Sequence, residues 1–118
     1  DQEKLQAEVT EILEKECAAA KAADVQTWNR YSDEFHLVFY RYCNNSRLAE
    51  SAERLRSGIS IFSNQYCRET VIQTRIDEEH LAIFQAYKDG DIEKAVQMMK
   101  THLNDSLNYA LRFLPKTF

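Results

Sequence analysis

The chain has 118 residues, enough for one domain with a modest core. Apolar side chains make up 44% of it, and its two glycines and one proline are few, which favours an all-helical domain over a β-rich one. A net charge of −4 without a basic cluster argues against a surface that grips nucleic acid. No run approaches the ~18 apolar residues of a membrane span, and the start carries no signal-peptide pattern.

The three cysteines are widely spaced, and none sits in a Cys-x-x-Cys pair. An odd number without close pairing argues against a disulfide framework and favours reduced thiols in a cytoplasmic protein. Because the chain opens on Asp1, we expect it to be part of a longer protein whose missing portion lies on the N-terminal side.

Apolar residues recur at helical spacing along five segments. The first three predicted helices cover residues 2–23, 25–43 and 47–66. Asp24 is a candidate N-cap for the second, and Asn44-Asn45-Ser46 breaks the chain before the third.

The fourth predicted helix covers residues 70–89, with Thr70 and Gln73 at capping-box spacing. Gly90 fits the left-handed position that ends many helices, and Asp91 caps the fifth helix, which runs to about residue 114. The short joint makes the last two helices antiparallel neighbours. The sequence therefore predicts one all-α domain over residues 1–118, an antiparallel bundle whose apolar stripes face a shared interior.

The three histidines all lie in the middle of predicted helices. His80 lies ten residues before Gly90 and His102 eleven after Asp91, so a rise of about 1.5 Å per residue puts both imidazoles at nearly one height. Both also fall on apolar stripes. Together with His36 they would give three nitrogen donors, enough with one oxygen for zinc, nickel, iron or a similar ion.

Asp33 is the candidate oxygen donor, because residues i and i+3 share a helix face. Spacing alone leaves open the alternative that each histidine is a hydrogen-bonded core residue. A nucleophile–base motif, a Gly-rich phosphate loop and a His-Glu-x-x-His motif are all lacking, so the sequence supports an enzyme only weakly.

Three stretches resemble the motifs of one family. SDEFH at 32–36 with NNSRL at 44–48, EHLAI at 79–83, and the pattern GD…A…M…HL over 90–103 are similar to its D-x-x-F-H…G-N-x-x-L, E-H-x-x-I and G-D…A…M…H-L. From about Leu5 onward the chain resembles the C-terminal effector-binding (FCD) domain of FadR-subfamily regulators in the GntR superfamily of bacterial transcription factors.

The resemblance implies a bundle of six or seven helices, of which about five to six fall in this fragment, with a divalent metal ion at its centre. It implies that His36, His80 and His102 are ligands, and that a small organic acid binds at or beside the metal. Effector binding would control a winged helix-turn-helix DNA-binding domain that is absent from this chain. The resemblance also implies a non-catalytic protein that works as a homodimer.

One departure concerns the oxygen ligand, which the family places four residues before the first histidine. Ser32 occupies that position here. Asp33 would then substitute through a shifted helix, or the metal has three protein ligands and more water, or the site is weak; a metal-free pocket is a further alternative. Arg56, Tyr31 and Tyr66 are the candidate effector contacts.

Two other functions compete with a sensing domain. One is a metal-dependent enzyme on a helical bundle. The other is a structural dimerisation module whose histidines are core residues.

Overall fold

Five α-helices make up most of residues 1–112, the part of the chain described by this computed structural model. The side chains of residues 60–66 and all of residues 113–118 lie outside the description. The helices are α1 (Gln2–Lys21), α2 (Val25–Arg41), α3 (Ser46–Tyr66), α4 (Thr70–Lys88) and α5 (Ile92–Leu111). The described residues contain no strand, so the all-α prediction is confirmed. None of the described helices combines the length and apolarity needed to cross a membrane.

The helix ends follow local capping chemistry. The Asp24 side chain accepts from the backbone N–H of Thr27, and Asp91 accepts from that of Lys94, as predicted. Gly90 has a φ of +80°, the left-handed conformation expected there. The helix α4 begins at Thr70, but the capping box predicted there is wrong. Its N-cap is Glu69, whose side chain makes no capping hydrogen bond.

The main core lies where α1 packs against both α2 and α4. Its buried residues are Leu5, Val9, Ile12, Leu13, Phe35, Val38, Ile83 and Phe84. A smaller cluster consists of Ala19, Ala20, Trp28 and Ile76. The hairpin of α4 and α5 continues this packing, and side chains of α2, α4 and α5 meet in the interior.

The apolar stripes of α3 and α5 do not all face inward, contrary to prediction. α3 packs mainly on α2 and touches α5 only slightly, which leaves a cleft between α3 and α5. Large apolar side chains are exposed on both helices: Leu48, Leu55 and Ile59 on α3, and Ile92, Val96, Leu103, Leu107 and Leu111 on α5. These side chains lack a neighbouring helix close enough to cover them within the described residues.

Candidate metal centre

Three buried imidazoles meet between α2, α4 and α5. His36, His80 and His102 each offer a ligand atom, and these atoms lie within 4.8 Å of one another. The Nε2 atoms of His80 and His102 are 3.0 Å apart, which confirms the matched heights predicted from the hairpin. The ring of His36 stacks on that of His102, with centroids 5.3 Å apart, and meets His80 edge-on. The described part of the chain thus holds a cluster that could bind one metal ion.

A carboxylate holds the outer nitrogen of two of the rings. Nδ1 of His80 lies 2.9 and 3.1 Å from the two oxygens of Glu16, and Nδ1 of His102 lies 2.6 Å from an oxygen of Glu79. An Nδ1–H that donates to an ionised carboxylate leaves the Nε2 lone pair available to a metal. Both Nε2 atoms then point at the same place.

Two facing Nε2 lone pairs repel each other unless a proton or a cation lies between them. With both rings neutral, Nε2–H of His80 donates to Nε2 of His102, and Nδ1 of His80 accepts from a protonated Glu16. A metal cation satisfies both Nε2 lone pairs instead, with Glu16 ionised. The donor set therefore fits a divalent ion bound through imidazole nitrogen.

Burial keeps these histidines in the neutral form that binds metals. It lowers the pKa of His80 to about 3 and that of His36 well below its usual value. Burial and the neighbouring His80 also lower the pKa of His102. The positive charge of Arg56 contributes to lowering the pKa of each of the three rings, so this guanidinium is an electrostatic neighbour of the cluster.

A third acid, Asp77, lies behind His80 and Glu16. Asp77 accepts a 2.9 Å hydrogen bond from Nε1 of Trp28 and shares another with Glu16. Burial raises the pKa of Asp77 to about 8 and that of Glu16 to about 7. The pair therefore retains a proton near neutral pH, and a continuous polar network runs from Trp28 through Asp77 and Glu16 to His80.

Asp33 and Ser32, the candidate oxygen ligands, both have other partners. Oδ1 of Asp33 accepts from Nη2 of Arg56 at 2.7 Å and from Nε at 3.2 Å, and Asp33 is not part of the histidine cluster. Ser32 is buried and bonds to Glu16. The structure does not bring Asp33 together with the three imidazoles as a fourth donor.

The candidate effector contacts are separated in the structure. Arg56 lines two neighbouring cavities between α3 and α5, of about 350 and 360 Å³, and His36 lines the first of them. Tyr31 instead lies beside the side chains of Arg30 and Lys15. The side chain of Tyr66 lies outside the described residues.

Glu16 and Glu79 are functional candidates that sequence reasoning missed. Glu79 directly precedes His80 in the matched motif, which was an available signal. Glu16 stands among apolar residues on the inner face of α1, three to four residues from Ile12, Leu13 and Ala20, and its side chain is fully buried. A charge at such a position is a signal because an acidic side chain is rarely buried without a partner.

A sequence model of the FCD domain matches residues 2–105 of the 118-residue chain. The chain belongs to the FCD family. FCD domains are the C-terminal effector-binding domains of GntR-family regulators, so the relationship inferred from the motifs is confirmed. The match includes all three histidines and both carboxylates that hold them. Searches of curated proteins and of solved structures found no match.

Proposed function

We propose that this FCD domain holds a divalent metal ion on His36, His80 and His102 and binds a small organic acid beside it, as the sensing part of a GntR-type transcription regulator. The observation that carries the proposal is the 3.0 Å approach of two Nε2 atoms whose rings are each held by a carboxylate. A metal ion between the two nitrogens accounts for that geometry. A metal centre in the interior also suits a domain that binds an effector.

The protein supplies three neutral donors, which suit zinc, nickel or a similar ion. Because Asp33 is paired with Arg56, we infer three protein ligands, with the remaining coordination positions left to water or effector. Three neutral imidazoles leave the ion's charge uncompensated within its own coordination shell. An anionic effector such as a carboxylate is therefore favoured at the open positions.

The three ligands come from three different helices, α2, α4 and α5. An effector that joins the metal would therefore change how these helices pack, which gives ligand binding a route to the rest of the protein. We infer that the output is a winged helix-turn-helix domain N-terminal to this chain, in a cytoplasmic homodimer. With a net charge of −4, the FCD domain itself is not the DNA-contacting part.

FCD domains are regulatory ligand-binding domains, and we infer no turnover by this one. The test is calorimetric titration of zinc-loaded and metal-free protein with a panel of small carboxylates, with His102→Ala as the ligand variant. We expect binding by the loaded wild type and little by the other two. Failure of every carboxylate to bind the loaded protein would contradict the effector role, and equal binding by metal-free protein would contradict the metal's part in it.

A further inference from the structure

The cleft between α3 and α5 has polar side chains at one end and almost only apolar side chains at the other. Its inner cavity, of about 350 Å³, has His36, Arg56 and Tyr40 in its wall. Its outer cavity, of about 360 Å³, is lined mostly by leucine, isoleucine and alanine. Arg56, Ile59 and Leu103 line both cavities, so the two adjoin. Each has the volume of a small-molecule site, which is usually mostly apolar with a few convergent polar groups.

Arg56 brings a positive charge to the junction of the two cavities. Asp33 accepts from its Nε and Nη2 atoms, whereas Nη1 makes no hydrogen bond with any described residue. A guanidinium keeps its full charge and has five N–H donors in a planar fork, so Arg56 retains donors for a second carboxylate. The imidazole of His36 lines the same inner cavity and is buried.

The outer half of the cleft offers apolar surface that no neighbour covers among the described residues. Leu103, Leu107 and Leu111 lie at four-residue intervals on α5 and are 44%, 56% and 50% exposed. At a rise of about 1.5 Å per residue, the first and last of these leucines lie about 12 Å apart along the helix. A ligand that fills both cavities must therefore have an anionic end and an extended apolar body.

We propose that this cleft binds a monocarboxylate with an extended apolar tail, its headgroup between Arg56 and the His36 end and its tail along Leu103, Leu107 and Leu111. The inference rests on the proposed function for the headgroup and adds the chemical class of the effector. A second protein chain is disfavoured as the occupant because an apolar helix face would leave the remaining N–H donors of Arg56 without an acceptor. A compact di- or tricarboxylate would leave the outer cavity unfilled.

The test is calorimetric titration of metal-loaded protein with straight-chain carboxylates from butanoate to decanoate, each below its micelle concentration. Burying a methylene is worth up to about a fourfold gain in affinity, so we expect affinity to climb along the series. Leu107→Asn should weaken decanoate binding by about tenfold or more and leave butanoate unchanged, since three or more methylenes lose their apolar wall. The matched control is Leu81→Asn, a similarly exposed leucine on α4 that lines neither cavity, and it should change nothing.

Decanol serves as the headgroup control, and Arg56→Gln should weaken all the carboxylates to a similar extent without affecting decanol. If decanol binds as well as decanoate, the assigned headgroup position is wrong. If small carboxylates bind but chain length has no effect, the cleft proposal is overturned while the proposed function stands. If Leu107→Asn alters the sedimentation mass and not decanoate affinity, the face belongs to a second copy of the chain, which also overturns the proposal.

Discussion

The Nε2 atoms of His80 and His102 lie 3.0 Å apart, at the point where α4 and α5 approach α2. Glu16 and Glu79 hold the opposite nitrogen of each ring, so the two rings aim their remaining donor atoms at each other. This pair accommodates either one proton or one cation between its nitrogens. A metal ion that binds here must displace a proton.

Metal affinity should rise with pH. The two rings are neutral, and the proton that ion binding releases is the one shared along Glu16, His80 and His102. Its release leaves Glu16 ionised, and burial raises the pKa of Glu16 to about 7. For one released proton we expect up to about a tenfold gain in zinc affinity per pH unit between pH 6 and 8. Calorimetry in two buffers of different ionisation enthalpy measures the protons released. Affinity that is flat over this range would contradict the shared-proton account.

Glu79→Gln should weaken metal binding by about 10–100-fold, because the charged partner that orients Nδ1 of His102 is lost. The matched control is Glu78→Gln, an adjacent exposed acid that makes no hydrogen bond to the three rings. Zinc competition with a chromophoric chelator gives both affinities, and circular dichroism checks that each variant is folded. Equal affinities for the two variants would show that Glu79 does not position the ring.

Asp77→Asn should make the stability of the metal-free protein less sensitive to rising pH. Burial raises the pKa of Asp77 from 3.8 to about 8, so folding takes up a proton, and the wild type loses stability as the pH rises from about 4 to 8. The histidines oppose this: their pKa values are lowered, so their contribution is lost as the pH falls below about 6.5.

The amide that this substitution introduces would keep an oxygen acceptor for Nε1 of Trp28 and would not titrate in this range. Urea unfolding followed by Trp28 fluorescence at pH 5 and pH 8 should show the variant gaining on the wild type by more than about 1 kcal/mol at the higher pH. A difference between the two proteins that is the same at both pH values would show that Asp77 is already ionised in the folded wild type.

Phe35→Ala should destabilise the fold by about 3–5 kcal/mol, because Phe35 is fully buried and removal of its ring leaves a cavity. Its ring stacks on His80 with centroids 4.1 Å apart, so metal affinity should fall as well. Leu81→Ala on the exposed side of α4 should cost less than about 0.5 kcal/mol. Urea unfolding measures both. A Phe35→Ala loss no larger than that of Leu81→Ala would contradict the packing described for this core.

The helices and the histidine cluster were predictable because their determinants are local. Periodicity located the helices, Asp24, Gly90 and Asp91 set their ends, and the short hairpin brought His80 and His102 level. Counting residues on either side of a tight turn is enough to place two side chains at one height.

The side chains around the histidine cluster depend on how separate helices approach each other. The spacing of residues along the sequence does not determine that approach. Asp33 pairs across to Arg56 on α3, and Glu16 reaches His80 from α1. α3 diverges from α5, so stripes expected in the core are exposed and form the cleft. Such contacts follow from crossing angles and from competition among partners for the same polar group.

The most direct measurement is the metal content of the purified domain after incubation with zinc or nickel and removal of excess ion. We expect about one ion per chain in the wild type, and little in folded His80→Ala protein. A wild type that retains no stoichiometric ion, or a His80→Ala variant that retains as much as the wild type, would contradict a metal centre at His36, His80 and His102.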